Sequence, residues 1–392
     1  MDLMVVAGEA SGDAHAADLV RALQRRCPDL RVFGCGGDQL AAAGCELLVS
    51  AHDLGVVGLA EVVEHLPRIW GLWRRLRRAL LRRRPEALIL VDFPDFNLPL
   101  AKTAHQAGIP AIYFVSPQLW AWRRGRVRRI QRSVARMICI FPFEEEFYRT
   151  HGVEVSYVGH PLVERVARAR ETMPSSAAFR AQHSIPATAE LIALLPGSRR
   201  RELDFHLPTV LAAAARLAAD GDRAFVLPVA PGLDPDRIQQ ACPPVLQPHL
   251  HLVSSADAYP AVAHSRLALV ASGTATVETA LLGTPMVVFY RLSPWTYRLG
   301  RRLVHTPHYA MVNLIAGHTV VPELIQNGFT VPALVAQAQR LLPEGPARAA
   351  MIAGLAEVRT KLGPPGAIER AADVVASTLN LYGETAARPS TV

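Results

Sequence analysis

An apolar run, LALV (267–270), passes into the segment ASGTATVETALLGTPM (271–286), and Met286 opens a second apolar run, MVVFY. This reads as a buried strand, a small-residue turn at Ser272, Gly273 and Thr274, and a helix carrying Glu278, ended by Gly283 and Pro285. A strand that turns into a helix in this way leaves backbone N–H groups and the positive end of a helix dipole at the strand's carboxyl end. That geometry suits a pyrophosphate, and a carboxylate one turn into the helix suits a ribose diol. The same pattern also builds an ordinary βαβ unit whose Gly273 only makes a tight turn, so both readings stay open on this segment alone.

The unit recurs along the chain. Strands are expected at LMVVA (3–7), RVFGC (31–35), ALILVD (87–92), AIYFV (111–115), MICIF (137–141) and VSYVG (155–159), with helical patterns at 14–26, 39–43, 62–84, 98–107 and 126–133. Short, continuously apolar strands alternating with helices predict parallel sheets covered on both faces. The stretch after His160-Pro161 turns polar and reads as an irregular exit from a first domain. A second series runs through LIALLPGS (191–198), a helix at 207–219, AFVLPV (224–229), LHLVS (250–254), LALVA and MVVFY. A chain of 392 residues exceeds one core. The expected domains are 1–165, 166–346 and a helical region at 347–383, followed by a tail at 384–392 that reads as disordered.

In parallel sheets, ligands sit at the carboxyl ends of strands, and the distinctive residues follow strands here. Gly8-Glu9-Ala10-Ser11-Gly12-Asp13 is neither a Walker loop nor G-x-G-x-x-G. Glu9, Ser11 and Asp13 suit hydroxyls, and Ser11 or Asp13 equally suits a helix cap. Gly34-Cys35-Gly36-Gly37 only superficially suggests a dinucleotide loop. Asp92-Phe93-Pro94-Asp95-Phe96-Asn97 places two carboxylates at a strand end, where either Asp suits a general base and Asp95 or Asn97 suits a cap for a helix at Leu98. Leu195-Pro196-Gly197-Ser198-Arg199 is a Gly-Ser turn beside arginines, a phosphate-binding arrangement or a solvated basic helix start. Asp234-Pro235-Asp236 reads as a cap, and no metal ligand set is expected.

The net charge of +8 is almost entirely arginine, lysine appearing only at 102 and 361. Basic balance points to anionic partners. Five cysteines without C-x-x-C give no disulfide framework or zinc site and suggest a reducing compartment. The chain opens on a strand without a signal core, and no 18 apolar residues run uninterrupted, which together read as cytoplasmic. The most basic stretch, LPRIWGLWRRLRRALLRRR (66–84), carries Leu66, Ile69, Trp70, Trp73, Leu76, Leu80 and Leu81 in one helical stripe, with Arg68, Arg75, Arg78 and Arg82 roughly opposite. It reads as a crossover helix that also touches a membrane surface. The Arg runs lack interleaved stacking motifs, which argues against nucleic acid.

Together these segments resemble the lipid-A-disaccharide synthase family, inverting glycosyltransferases with the GT-B fold. The resemblance runs in family order through GEASGD, VDFPDFN, YFVSPQLWAWR, FPFEEEFY, VGHPL, LLPGSRRRE, ASGTATVET, GTPMVVFYR and VNLIAG, over nearly the whole chain. It implies an α/β chain of two Rossmann-like domains with parallel sheets facing an interdomain cleft, the first for acceptor and lipid and the second for donor. In such folds the last helix returns to the first domain. The implied reaction joins UDP-2,3-diacylglucosamine to 2,3-diacylglucosamine 1-phosphate, giving the β(1→6) disaccharide and UDP without cofactor or metal. Asp95 is the implied base, with Glu9 and Asp92 as further catalytic carboxylates. Gly197, Ser198, Arg199, Ser272, Gly273, Thr274, Glu278, Arg291 and Asn313 are expected at the donor. Ser11, Ser116, Trp120, Trp122, Arg123, Trp70 and Trp73 are expected at acceptor or lipid. Phe93 and Gln118-Leu119 depart from the commonest family pattern, which often has a small residue at position 93. The expected partners are the two glycolipids and the anionic inner face of the cytoplasmic membrane. A UDP-N-acetylglucosamine 2-epimerase-like enzyme is the nearest alternative on this fold, and a non-catalytic UDP-sugar or phospholipid binder is the alternative of another class.

Overall fold

The structure is a computed structural model and describes residues 1–53, 59–120, 124–293, 297–298, 306 and 308–379. Two compact units are present. One comprises Met1–Pro161 and the chain from Pro364 onward; the other is Leu162–Gly363.

The first unit holds strands β1 (Asp2–Ala7), β2 (Arg31–Gly36), β3 (Glu46–Ser50), β4 (Ala87–Val91), β5 (Ala111–Phe114), β6 (Arg136–Cys139) and β7 (Val155–Tyr157). They form one parallel sheet in the order β3-β2-β1-β4-β5-β6-β7. The apolar runs follow from burial on both faces. Leu3, Val5 and Ala7 of β1 and Ala87, Ile89 and Val91 of β4 enter one core layer. Met4, Val6, Leu88 and Leu90 enter the other. A period of two thus splits each run between two apolar layers, and no polar position remains.

The second unit repeats the arrangement with β8 (Glu190–Leu195), β9 (Arg223–Val229), β10 (Leu250–Ser254), β11 (Leu267–Ala271), β12 (Met286–Tyr290) and β13 (Glu323–Ile325). Its parallel order is β10-β9-β8-β11-β12-β13. In each sheet the strand order reverses beside the first strand, between β1 and β4 and between β8 and β11.

Several expectations change. The polar stretch after His160 is not irregular: it carries helices at Pro161–Glu171 and Ser176–Gln182, the second capped by the Ser175 side chain on Ala178 N–H. Strands β3 and β13 were not expected from the sequence. Both lie at sheet edges and neither is fully buried, so neither shows a continuous apolar run. The helical region from 347 divides into Pro346–Lys361 and Ala367–Thr378 at Gly363-Pro364-Pro365-Gly366, where both glycines have positive φ. The last helix packs on the first, Ala10–Arg26, within the first unit. Arg26 there pairs with Glu369 and Asp373, both at 2.7 Å. Arg370 Nε donates to the Val158 carbonyl at 2.9 Å. The 384–392 tail lies outside the described residues.

Asp13 caps a helix other than its own. Its Oδ1 accepts from Gly37 N–H at 2.7 Å and Leu40 N–H at 3.2 Å, and its Oδ2 from Gln39 N–H at 3.0 Å. These amides open the helix Asp38–Ala42. A Cβ on Gly37 would stand 2.8 Å from Asp13 Oδ2. The glycines after β2 therefore admit a carboxylate rather than a dinucleotide. Asp13→Ala strands three buried or half-buried amides and should cost about 2–4 kcal/mol of stability, read from the urea midpoint.

Candidate functional site

The loops that follow β1 and β4 converge at the switch point of the first sheet. Glu9 occupies the N-cap position of Ala10–Arg26 without a side-chain cap bond, and Ser11 is exposed on its first turn. Asp92 lies beside Glu9. Burial and then the Glu9 charge push its carboxyl up to about 6, against a smaller lowering by the Phe93 amide. Asp92 and Phe93 both adopt the left-handed backbone region (φ 46° and 50°), which is uncommon for non-glycine residues. Side chains behind the turn hold it there. Tyr113 Oη donates to the Asp92 carbonyl at 2.5 Å, and Asn97 Nδ2 donates to the same oxygen at 2.7 Å. Phe93 lies over Gly8, where an added Cβ would come within 2.4 Å of its ring.

The helix after β4 starts at Pro94, four residues earlier than expected. This puts Asp95 in its first turn, with neither Asp95 nor Asn97 as cap. Asn97 instead turns back to the strand end. Asp95 is largely exposed and pairs with Arg126 at 2.5 Å.

After β5, Val115 also takes a left-handed φ of 61°. Ser116 and Trp120 are buried: Ser116 Oγ donates to Tyr148 Oη at 2.8 Å and Trp120 Nε1 donates to Glu144 at 3.2 Å. Trp122 and Arg123 lie outside the described residues. On the helix Leu59–Arg83, Leu76 and Leu80 are buried, and Ile69, Leu72 and Trp73 pack beside them. Trp73 is thus part of the core face, which corrects its expected lipid contact. Trp70 is 57% exposed with the Arg74 guanidinium 4.1 Å from its ring centroid, and Leu81 is 36% exposed. The stripe read from the sequence therefore divides: its inner part covers the sheet, and Trp70 and Leu81 face solvent among arginines.

The second unit gathers its loops at the β8/β11 switch point. Gly197 has φ 127°, and a Cβ there would meet Glu202 Oε2 at 2.5 Å. Glu202 Oε2 accepts from the N–H groups of Ser198 (3.0 Å) and Arg199 (3.3 Å). Glu202 thus reaches back to the two amides just ahead of the helix after β8, Arg200–Ala219, whose N-cap residue Arg199 makes no side-chain cap bond. The helix after β11, Thr274–Leu282, differs: it has no side-chain cap, with Gly273 at its N-cap and Ser272 Oγ donating to the Tyr309 carbonyl at 3.0 Å. Glu278 is mostly buried; burial raises its pKa, and Tyr259 Oη donates to its Oε1 at 2.8 Å.

Two expected donor residues have structural partners. Asn313 is fully buried. Its Nδ2 donates to the Val321 carbonyl and Glu323, and its Oδ1 accepts from Val320 and Val321 N–H. Its amide is saturated within the loop, so it supports Glu323, which in turn accepts from Tyr309 and Ala310 N–H. Arg291 donates to the Phe329 carbonyl, with its guanidinium 4.8 Å from the Phe329 ring centroid.

Sequence reasoning missed His206. Its Nε2 accepts from Arg291 N–H at 3.0 Å, leaving Nδ1 as donor to the Pro196 carbonyl at 2.7 Å. It ties the loop after β8 to the end of β12, and burial lowers its pKa. The only sequence signal was a histidine seven residues after Arg199 on an otherwise apolar face.

Residues 3–362 match the family described as Lipid-A-disaccharide synthetase. A lipid-A-disaccharide synthase from Koribacter versatilis is 45% identical over 380 residues, covering 97% of this chain and 98% of its own length. One from Anaeromyxobacter dehalogenans is 47% identical over 378 residues, covering 95% and 96%. Among solved structures, a UDP-GlcNAc 2-epimerase from Neisseria meningitidis bound to UDP-GlcNAc superposes with TM-score 0.63 at 13% identity, covering 97% of this chain and 100% of that one. The glycotransferase of kitacinnamycin gives 0.65 at 19%, covering 96% and 98%. These likenesses establish the GT-B architecture.

Asp92 yields a pH-dependent test. A carboxyl raised from 3.8 to about 6 on folding costs stability as it ionises. The cost is absent below about pH 4, grows through pH 6 and is constant above. Asp92→Asn should therefore raise stability by about 2–3 kcal/mol at pH 7–8 and by nothing at pH 3.5, measured by thermal melts across that range.

Proposed function

This chain belongs to the lipid-A-disaccharide synthase family, and from that premise we propose which of its residues do the work. It is a glycosyltransferase of lipid A biosynthesis. It transfers 2,3-diacylglucosamine from its UDP derivative to the 6-hydroxyl of 2,3-diacylglucosamine 1-phosphate, with inversion, and releases UDP.

In our reading the first unit takes the acceptor and the second takes the donor. The observation that supports this division is that the loops bearing the carboxylates follow β1 and β4, at the switch point of one sheet, and those bearing Ser198, Arg199 and Gly273 follow β8 and β11, at the switch point of the other. Asp95 removes the proton from the attacking hydroxyl, and Arg126 orients the Asp95 carboxylate. Asp92 and Glu9 stand at the same switch point as further carboxylates that accept hydrogen bonds from the acceptor's hydroxyls. One in-line displacement at the anomeric carbon inverts it, so no covalent enzyme intermediate is needed.

On the donor side, Arg199 and the uncapped helix start at Ser272, Gly273 and Thr274 stabilise the charge that develops on the leaving diphosphate. Gly197 gives the loop its shape, and Ser198 contributes its hydroxyl, since its N–H is held by Glu202. Glu278 keeps Oε2 for the ribose diol while Tyr259 holds Oε1. Arg291 and Asn313 act as supports beneath this surface.

Both substrates carry acyl chains. No described helix is long and apolar enough to cross a membrane. We place the enzyme in the cytoplasm, on the inner face of the cytoplasmic membrane, with Trp70 and Leu81 entering the interface and the neighbouring arginines meeting anionic headgroups.

Turnover of the two purified glycolipids tests the base. Asp95→Asn should lower kcat by about 10²–10⁴-fold with UDP affinity unchanged, while Asp92→Asn keeps most of its turnover. Full kcat in Asp95→Asn with a dead Asp92→Asn would reverse the assignment. In a second measurement, the double variant Trp70→Ser, Leu81→Ser should lose most cosedimentation with phosphatidylglycerol vesicles yet turn over detergent-dispersed substrate normally.

A further inference from the structure

The helix Thr274–Leu282 carries one carboxylate, and the threonines beside it are turned onto their own backbone. Thr276 Oγ1 donates to the Gly273 carbonyl and Thr279 Oγ1 to the Ala275 carbonyl, both at 2.7 Å, and both side chains are fully buried. Glu278 keeps part of its surface exposed. It follows the uncapped start at Thr274 by one turn, about 6 Å along the axis. The 2′- and 3′-hydroxyls of a nucleotide stand at a comparable distance from its 5′-phosphate. A diphosphate on the open amides therefore brings a ribose diol alongside Glu278.

The donor that holds this carboxylate is a phenol. Tyr259, the second residue of the helix Ala258–Ala263, gives its Oη proton to Glu278 Oε1 at 2.8 Å. A neutral donor fixes one oxygen and leaves the negative charge in place for further hydrogen bonds, which are stronger to an ionised acceptor. We propose that Tyr259 is a positioning residue that sets nucleotide specificity: by holding Oε1 it aims Glu278 so that Oε2 accepts from the ribose hydroxyls, and the site then prefers a ribonucleoside diphosphate to a deoxyribonucleoside diphosphate. The proposal rests on the reading of Glu278 as the group that meets the ribose.

The electrostatics around the pair agree with this role. Burial raises the pKa of Glu278, while the Tyr259 hydrogen bond and the Arg165 guanidinium, on the helix Pro161–Glu171, lower it. Burial and then the Glu278 charge raise the Tyr259 phenol, so it remains the proton donor. A site built around a charged acceptor loses a factor of about ten for each hydroxyl that a ligand lacks. Without the phenol the carboxylate turns between rotamers and is met by water. The gain from the hydroxyls then shrinks, while the contacts to the diphosphate are untouched.

Titration calorimetry with UDP and 2′,3′-dideoxy-UDP compares wild type, Tyr259→Phe and Glu278→Gln. Wild type should bind UDP about 10²-fold more tightly than the dideoxy analogue. Tyr259→Phe should cut that ratio to about tenfold by weakening UDP alone, and should raise the KM for the UDP-sugar about tenfold with the acceptor KM unchanged. Wild-type discrimination in Tyr259→Phe would overturn the proposal. So would equal weakening of both nucleotides, since that marks a phenol that only holds the fold. Glu278→Gln separates the two readings. If it keeps the wild-type ratio, the ribose reading of Glu278 falls and takes the proposal with it. If it loses the ratio while Tyr259→Phe keeps it, only the role of Tyr259 falls.

Discussion

A parallel sheet whose strand order reverses beside its first strand leaves a crevice at that reversal, because the two adjoining crossovers leave on opposite faces. Both units are built on this constraint. The crevices are flanked by the loops after β1 and β4 and by those after β8 and β11. Helices open directly from these loops, so backbone N–H groups point into the same space. Carboxylates can be held at the first crevice and a diphosphate at the second without any loop leaving the sheet that supports it.

The second crevice treats its two helix starts differently. In the second unit, Glu202 already fills the amides of Ser198 and Arg199, so that turn offers side chains. The start of Thr274–Leu282 has no side-chain cap among the described residues and offers backbone. His206 then joins the closed turn to the end of β12 through Pro196 and Arg291. The surface proposed for the donor rests on groups that are hydrogen-bonded beneath it, and Arg291 and Asn313 belong to that layer.

The sheet centres were legible in the sequence because their strands are buried on both faces and read as unbroken apolar runs. Two of the four edges were not: β7 and β10 were expected, but β3 and β13 are short and half exposed, and no local pattern separates them from loop. Of the candidate site, the loops that the fold gathers at its two switch points were legible. Which residue of a loop meets a ligand was not, since that depends on partners distant in sequence. Asn313 and Glu278 both read as polar side chains on a helix; only Val321 and Glu323 reveal that the first is saturated, and only Tyr259 that one oxygen of the second is already held. Asp13 likewise read as a cap for its own helix and serves the neighbouring one, Asp38–Ala42.

The contact between Phe93 and Gly8 makes two distant positions one unit of inheritance. While a large ring stands at 93 in a left-handed turn, position 8 has room for hydrogen alone. A small side chain at 93 would lift that restriction. Exchanging either loop by itself would carry half of a matched pair, so the turn bearing Asp92 and Asp95 and the turn bearing Glu9 are replaced together.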